Sequence, residues 1–159
     1  MKILYMSCHC VLEMDELTLF TELGYDFFSH GAYSDPKGHY SLPRPAIKGA
    51  IFHEDLFNLS RQYPKTALPK EMIDWADIMI FMSGESEEVL IANWENIKHK
   101  RVILRMIGQS TPAIERKIKP LRDQGLQIIR YSPKEENIQN YVGGDVLIAP
   151  LDAASRMIL

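Results

Sequence analysis

RVILRMIGQSTP, residues 101–112, is the stretch whose reading decides the fold. Val102, Ile103 and Leu104 make a short apolar run of the kind that a strand buried on both faces requires. The run gives way to Gly108, Gln109, Ser110 and Thr111, small and polar residues suited to a tight turn. Thr111 is placed to cap a helix beginning at Pro112, where a missing N–H costs nothing. Strand, polar turn and helix start, in that order, set unpaired backbone N–H groups beside hydroxyls at the end of a sheet. A polar ligand site is expected to include this turn.

Similar units lie on both sides of it. Residues 77–82 (DIMIFM) read as a strand, Ser83 and Gly84 as a turn, and residues 85–97 as a helix with Val89, Leu90, Trp94 and Ile97 on one side. Glu85, Glu87 and Glu88 fall in that helix's first turn and Lys98, His99 and Lys100 beyond its end, charges that suit its two poles. Downstream, Ile114, Ile118 and Leu121 predict an inward helix face, with Pro120 expected to kink or restart the helix and Gly125 to end it. Residues 126–131 form another strand, 133–140 a short helix and 145–149 a last strand.

Upstream, KILYMS (residues 2–7) is the first strand. Residues 12–23 are a helix with Leu12, Leu17, Leu19, Phe20 and Leu23 on its apolar face and Asp15, Thr18 and Glu22 opposite. Gly24 stops it, and residues 25–30 supply a second strand. Residues 32–49 carry turn signals throughout, from DPKG at 35–38 to Pro43, Pro45 and Gly49. They read either as a recognition loop bearing Tyr33, His39, Tyr40 and Arg44 or as a plain surface loop. Residues 54–63 predict a helix with Leu56, Leu59 and Tyr63 turned inward, and 71–75 one more helical turn. The alternation of about six strands with helices predicts a Rossmann-like, doubly wound, mainly parallel sheet in a three-layer α/β/α domain.

Composition agrees and excludes several functions. A chain of 159 residues, 46% hydrophobic and 25% charged, suits one packed core rather than two or none. A net charge of −3 gives no general reason to bind nucleic acid. No apolar run approaches the ~18 residues of a membrane span, so no transmembrane segment is expected, and residues 1–3 enter a strand without a signal-peptide pattern. Cys8 and Cys10 are separated only by His9. No disulfide is expected between them, and a reducing, cytoplasmic compartment is.

Ligands of such sheets bind beyond the carboxyl ends of the strands. Four polar clusters are expected there: Ser7 to His9, Ser83 with Gly84, Arg105 to Thr111, and Arg130 through Ser132 to Pro133. Arg105 and Arg130 either grip a phosphate or carboxylate with their forked donors or pair with Glu115, Glu135 or Glu136. His9, flanked by Glu13, Asp15 and Glu16, is either an acid/base residue or a histidine hydrogen-bonded at a strand end. Cys8, His9 and Cys10 lack the spacing of a metal site, and His30, His39, His53 and His99 supply no second half, so no metal is expected. G-x-G-x-x-G, Walker A and G-x-S-x-G motifs are all absent from the sequence, which supports no dinucleotide cofactor, P-loop or nucleophile elbow. Trp75 and Trp94 fall in helical segments and read as packing residues.

MKILYMSCHCVLEMDELTLFTELGYDFFSHGAY (residues 1–33) and VILRMIGQSTPAIERKIKPLRDQGLQIIRYSPKEENIQNYVGGDVLI (residues 102–148) resemble the amino-terminal domain of GT-B-type glycosyltransferases. The likeness spans nearly the whole chain, strongest over residues 101–148 and weakest over 32–70. Its most specific elements are R-x-I-G-Q-S-T-P at 105–112 and R-Y-S-P at 130–133. The resemblance implies a two-domain enzyme moving a sugar from a nucleotide-sugar donor to an acceptor, commonly without a bound metal. The amino-terminal domain shapes the acceptor side and a carboxyl-terminal domain holds most of the donor. Carried onto this chain, the turn around His9, the candidate catalytic residue, and Gly108, Gln109, Ser110 and Thr111 line the cleft. Ser83, Gly84, Arg105, Arg130 and Ser132 join the substrate side.

The sequence departs from that pattern in two respects. Ser7–Cys8–His9–Cys10 stands where many retaining members carry a glycine-rich turn, and no donor-binding domain is expected within these 159 residues, which read either as an excised domain of a larger enzyme or as a shortened relative. The chain alone is therefore expected to transfer no sugar. Self-association is expected through the face a second domain would cover. Two other readings stay open: a stand-alone module binding a nucleotide or small phosphorylated ligand, and an interaction module contacting another protein through residues 32–49.

Overall fold

In the computed structural model the chain builds one sheet from β1 (Lys2–Met6), β2 (Asp26–His30), β3 (Ile78–Met82), β4 (Arg101–Ile107), β5 (Gln127–Tyr131) and β6 (Val146–Ala149). The structure describes residues 1–6, 11–30, 49, 51–64, 67–82, 85–107, 112–131 and 146–149, with 11–14, 85, 107, 130, 131 and 146–149 described by their backbone alone. The strand order is β2-β1-β3-β4-β5-β6, and every pairing is parallel. The expected helix at 133–140 lies outside the described residues.

Helices cover both faces. α1 (Val11–Glu22) packs on one face, where Leu17 and Phe20 meet Ile3, Tyr5, Phe27, Ile78, Ile80, Met82, Ile103 and Ile129. α2 (Glu54–Gln62), α3 (Lys70–Trp75), α4 (Glu85–Ile97) and α5 (Pro112–Asp123) pack on the other, over Leu4, Met6, Phe28, Met79, Phe81, Val102, Leu104, Met106 and Ile128. This is a three-layer α/β/α domain with a Rossmann-like sheet. Its central strand shows why the sequence reads as it does. All five residues of β3, IMIFM, are buried, because a parallel strand with helices on both faces has no solvent side.

Most elements lie within a residue or two of where the pattern places them. On α4, Val89, Leu90, Trp94 and Ile97 are all buried, and on α5 Ile118 and Leu121 are. The exceptions have physical reasons. β4 runs on through Arg105, Met106 and Ile107, so Arg105 belongs to the strand and not to the turn after it. Met106 is buried and Ile107 pairs with Tyr131, and those neighbours keep the ladder going. α5 continues through Pro120 instead of restarting there. Only one backbone donor is lost, near the helix end, and the buried Ile118 and Leu121 on either side hold the turn.

α2 ends at Gln62, so Tyr63 leaves it in an extended conformation and is 41% exposed rather than inward, while Ser60 is fully buried. Ser60, four residues after the buried Leu56, lies on the inward stripe of α2 and faces His30 at the end of β2. Its hydroxyl lies 2.9 Å from His30 Nδ1, and His30 Nε2 lies 2.9 Å from Ala67 O. A carbonyl only accepts, so Nε2 carries the proton and Ser60 donates to Nδ1. At the opposite edge of the sheet His53 Nε2 meets Asp26 Oδ1 at 2.5 Å, and its ring packs edge-on against Trp75 with centroids 5.1 Å apart.

Candidate functional site

All strands run one way, so their carboxyl ends share one edge. Met6 pairs with Phe81, Met82 with Arg105 and Ile107 with Tyr131. The connections after residues 6, 82, 107 and 131 therefore leave from the same side of the sheet. The chain turns outward from β1 to β2 in one direction and from β3 to β4 in the other, with α1 and α4 on opposite faces. Adjacent strands whose connections diverge in this way open a crevice between them, here between β1 and β3.

Ser86, in the first turn of α4, ties the two walls together: its hydroxyl donates to the carbonyl oxygen of Met6 at 3.3 Å. Glu87 beside it is 7% exposed. Below the crevice, on the α1 face, lies a buried polar cluster. Arg105 Nε donates to Glu16 Oε2 at 2.9 Å and Arg105 Nη1 to the carbonyl oxygen of Ile129 at 3.3 Å. Tyr5 donates its phenolic proton to Glu16 Oε1 at 3.0 Å, and the Tyr5 hydroxyl oxygen also lies 2.9 Å from Met82 Sδ. Arg105 is 1% exposed and Glu16 and Tyr5 not at all. Four strands and α1 meet in this cluster.

Of the residues the sequence singles out, Arg105 is the one whose side chain is described. It is an internal ion-pair residue whose partner is Glu16; Glu115 pairs instead with Arg122 at 3.6 Å. Arg130 takes its place in β5 opposite Met106. His9, Ser83, Gly84, Gly108, Gln109, Ser110, Thr111 and Ser132 lie outside the described residues, in connections that start at the carboxyl edge. So do Glu135, Glu136, Cys8, Cys10 and residues 32–48. Among the described residues no group of three or more metal-ligating side chains converges, and no helix is long and apolar enough to cross a membrane.

Sequence reasoning missed Tyr5 and Glu16. Glu16 falls on the same helical stripe as Phe20 and Leu23, so a carboxylate interrupting an apolar face was the available signal.

Electrostatics narrows what the crevice suits. Residues 7–22 and 83–97, which hold its two helices, contain no lysine or arginine but carry Glu13 in the first turn of α1 and Glu85, Glu87 and Glu88 in that of α4. Carboxylates there oppose the positive pole that a helix N-terminus offers an anion. A ligand rich in hydroxyl donors is matched by such acceptors.

The fold is that of a Rossmann-like module able to bind a nucleotide or small ligand. No family model, no curated protein and no solved structure matches the chain.

Proposed function

We propose that this chain is the acceptor-side domain of a glycosyltransferase, with the crevice between β1 and β3 receiving a sugar hydroxyl of the acceptor. The observation that carries the reading is the carboxyl-edge crevice between β1 and β3, flanked by two helices that hold no lysine or arginine and begin with Glu13 on one side and Glu85, Glu87 and Glu88 on the other. Carboxylates and a serine hydroxyl are hydrogen-bond partners for a polyol, whereas the diphosphate of a nucleotide sugar needs cations supplied elsewhere. The resemblance of residues 101–148 to GT-B amino-terminal domains supports the same assignment, as do the polar residues Gly108 to Thr111 that follow β4 in the sequence. His9 then serves as the general base that takes the acceptor proton. The enzyme works in the cytoplasm, where Cys8 and Cys10 stay reduced.

Amide chemical shifts test the proposal. The methyl glycosides of glucose, galactose and N-acetylglucosamine are expected to move the signals of Met6, Val11, Met82 and Ser86, and uridine diphosphate to leave them in place. Silence toward all three glycosides would overturn the acceptor reading. Tight uridine diphosphate binding at these residues would favour a second one, a stand-alone nucleotide module, which the strand order itself supports. Sheets ordered 2-1-3-4-5 are known to hold a phosphorylated ligand at the β1/β3 switch point.

A further inference from the structure

We infer that the Tyr5–Glu16–Arg105 cluster is a positioning device that fixes where the start of α1 stands over the crevice; its effect on ligand binding rests on the acceptor reading above. The reasoning begins from a mismatch between chemistry and surroundings. The cluster sits among Phe20, Ile80, Met82, Ile103 and Ile129, an apolar layer where leucine or methionine would pack without desolvating two charges. Burial of an ion pair is thus poor support for stability, but it is directional where apolar packing is not. Arg105 Nε and the Tyr5 hydroxyl approach the two oxygens of one carboxylate from β4 and β1, at 2.9 and 3.0 Å. A second guanidinium nitrogen is anchored to β5 through the Ile129 carbonyl at 3.3 Å.

A helix held only by Leu17 and Phe20 can slide or rotate by a fraction of a turn at little cost. A helix whose Glu16 must satisfy two donors on two strands cannot. The consequence falls on the crevice because α1 begins five residues before Glu16, and its first turn follows directly on the connection from β1. On the other wall, Ser86 fixes α4 to the Met6 carbonyl by the same kind of bond, 3.3 Å long. Each helix flanking the crevice is thereby located by a buried polar contact to the sheet.

The test replaces the ion pair with apolar volume in Glu16→Leu/Arg105→Met, with Tyr5→Phe as a milder variant that removes one hydroxyl. Hydrogen exchange, thermal unfolding and titration with the three methyl glycosides are measured on the 159-residue chain. The double variant is expected to melt at or above the wild-type temperature, yet exchange the amides of residues 13–18 at least about tenfold faster and weaken glycoside affinity at least about tenfold. Tyr5→Phe should shift both in the same direction by less. Unchanged exchange in α1 together with unchanged affinity would show that the cluster is only filling, and would overturn the inference. If the double variant does not fold, Tyr5→Phe decides by the same two readouts. If the wild-type chain binds no glycoside, the acceptor reading fails while α1 exchange still decides this one.

Discussion

Arg105 shows how much one side chain redefines at the residue scale. As a lone cation at a strand end it would be a ligand handle; with Glu16 beside it, it is part of the interior. Arg105→Met leaves the Glu16 carboxylate buried without its partner, a change that typically costs about 3–5 kcal/mol. Urea unfolding should show that loss for the single variant, and its recovery in the Glu16→Leu/Arg105→Met double. A second residue-scale prediction concerns Gly24, which ends α1 at φ 81° with nothing within 4 Å of an added Cβ. Gly24→Ala meets no clash, so its destabilisation of about 1 kcal/mol is backbone strain alone. Chemical denaturation would measure it against Gly125→Ala, at φ 112°, where the same reasoning holds.

At the scale of elements, α2 and the segment after it are held to β2 through His30. Burial keeps the His30 imidazole neutral and lowers its pKa below the ordinary histidine value. The unfolded chain therefore binds a proton, near pH 6.5, that the folded chain refuses, and stability rises with pH across that window. The contribution is complete above about pH 6.5 and is lost as pH falls from there toward the lowered folded value. Unfolding midpoints at pH 7.5 and pH 5 should differ accordingly, and His30→Gln should flatten the dependence. Ser60→Ala removes the donor to Nδ1 and is expected to cost about 1–3 kcal/mol. The helix itself announces none of this. Ser60 shares the inward stripe of Leu56, but its partner is named only when β2 places a histidine opposite it.

At the scale of the whole molecule, the strand order sets where function is to be sought. Two connections that part between β1 and β3 make the crevice, and with helices packed on both faces the carboxyl ends of the strands are where a ligand of such a sheet is expected. If the donor is held by another domain, as the proposal requires, the 159-residue chain incubated with an acceptor glycoside and uridine diphosphate glucose should release no uridine diphosphate. Robust release by this chain alone would show that donor and acceptor sites share one domain.

What the sequence determined by itself is local. Apolar runs at 78–82 and 102–104, helical periodicity at 85–97, and the stops at Gly24 and Gly125 follow from neighbours a few residues apart, and the structure has all of them. Sheet class was equally legible, since strands bearing helices on both faces have to be apolar throughout. Only the tertiary structure decided what the buried polar groups are for. Arg105 and Glu16 are 89 residues apart in the chain, and His30 and Ser60 are 30 apart. No periodicity links such pairs; they meet because parallel pairing lays β4 near β1 and the crossover carries α1 across the sheet. A charge in an apolar pattern is a partner waiting for its complement, and the complement is chosen in three dimensions.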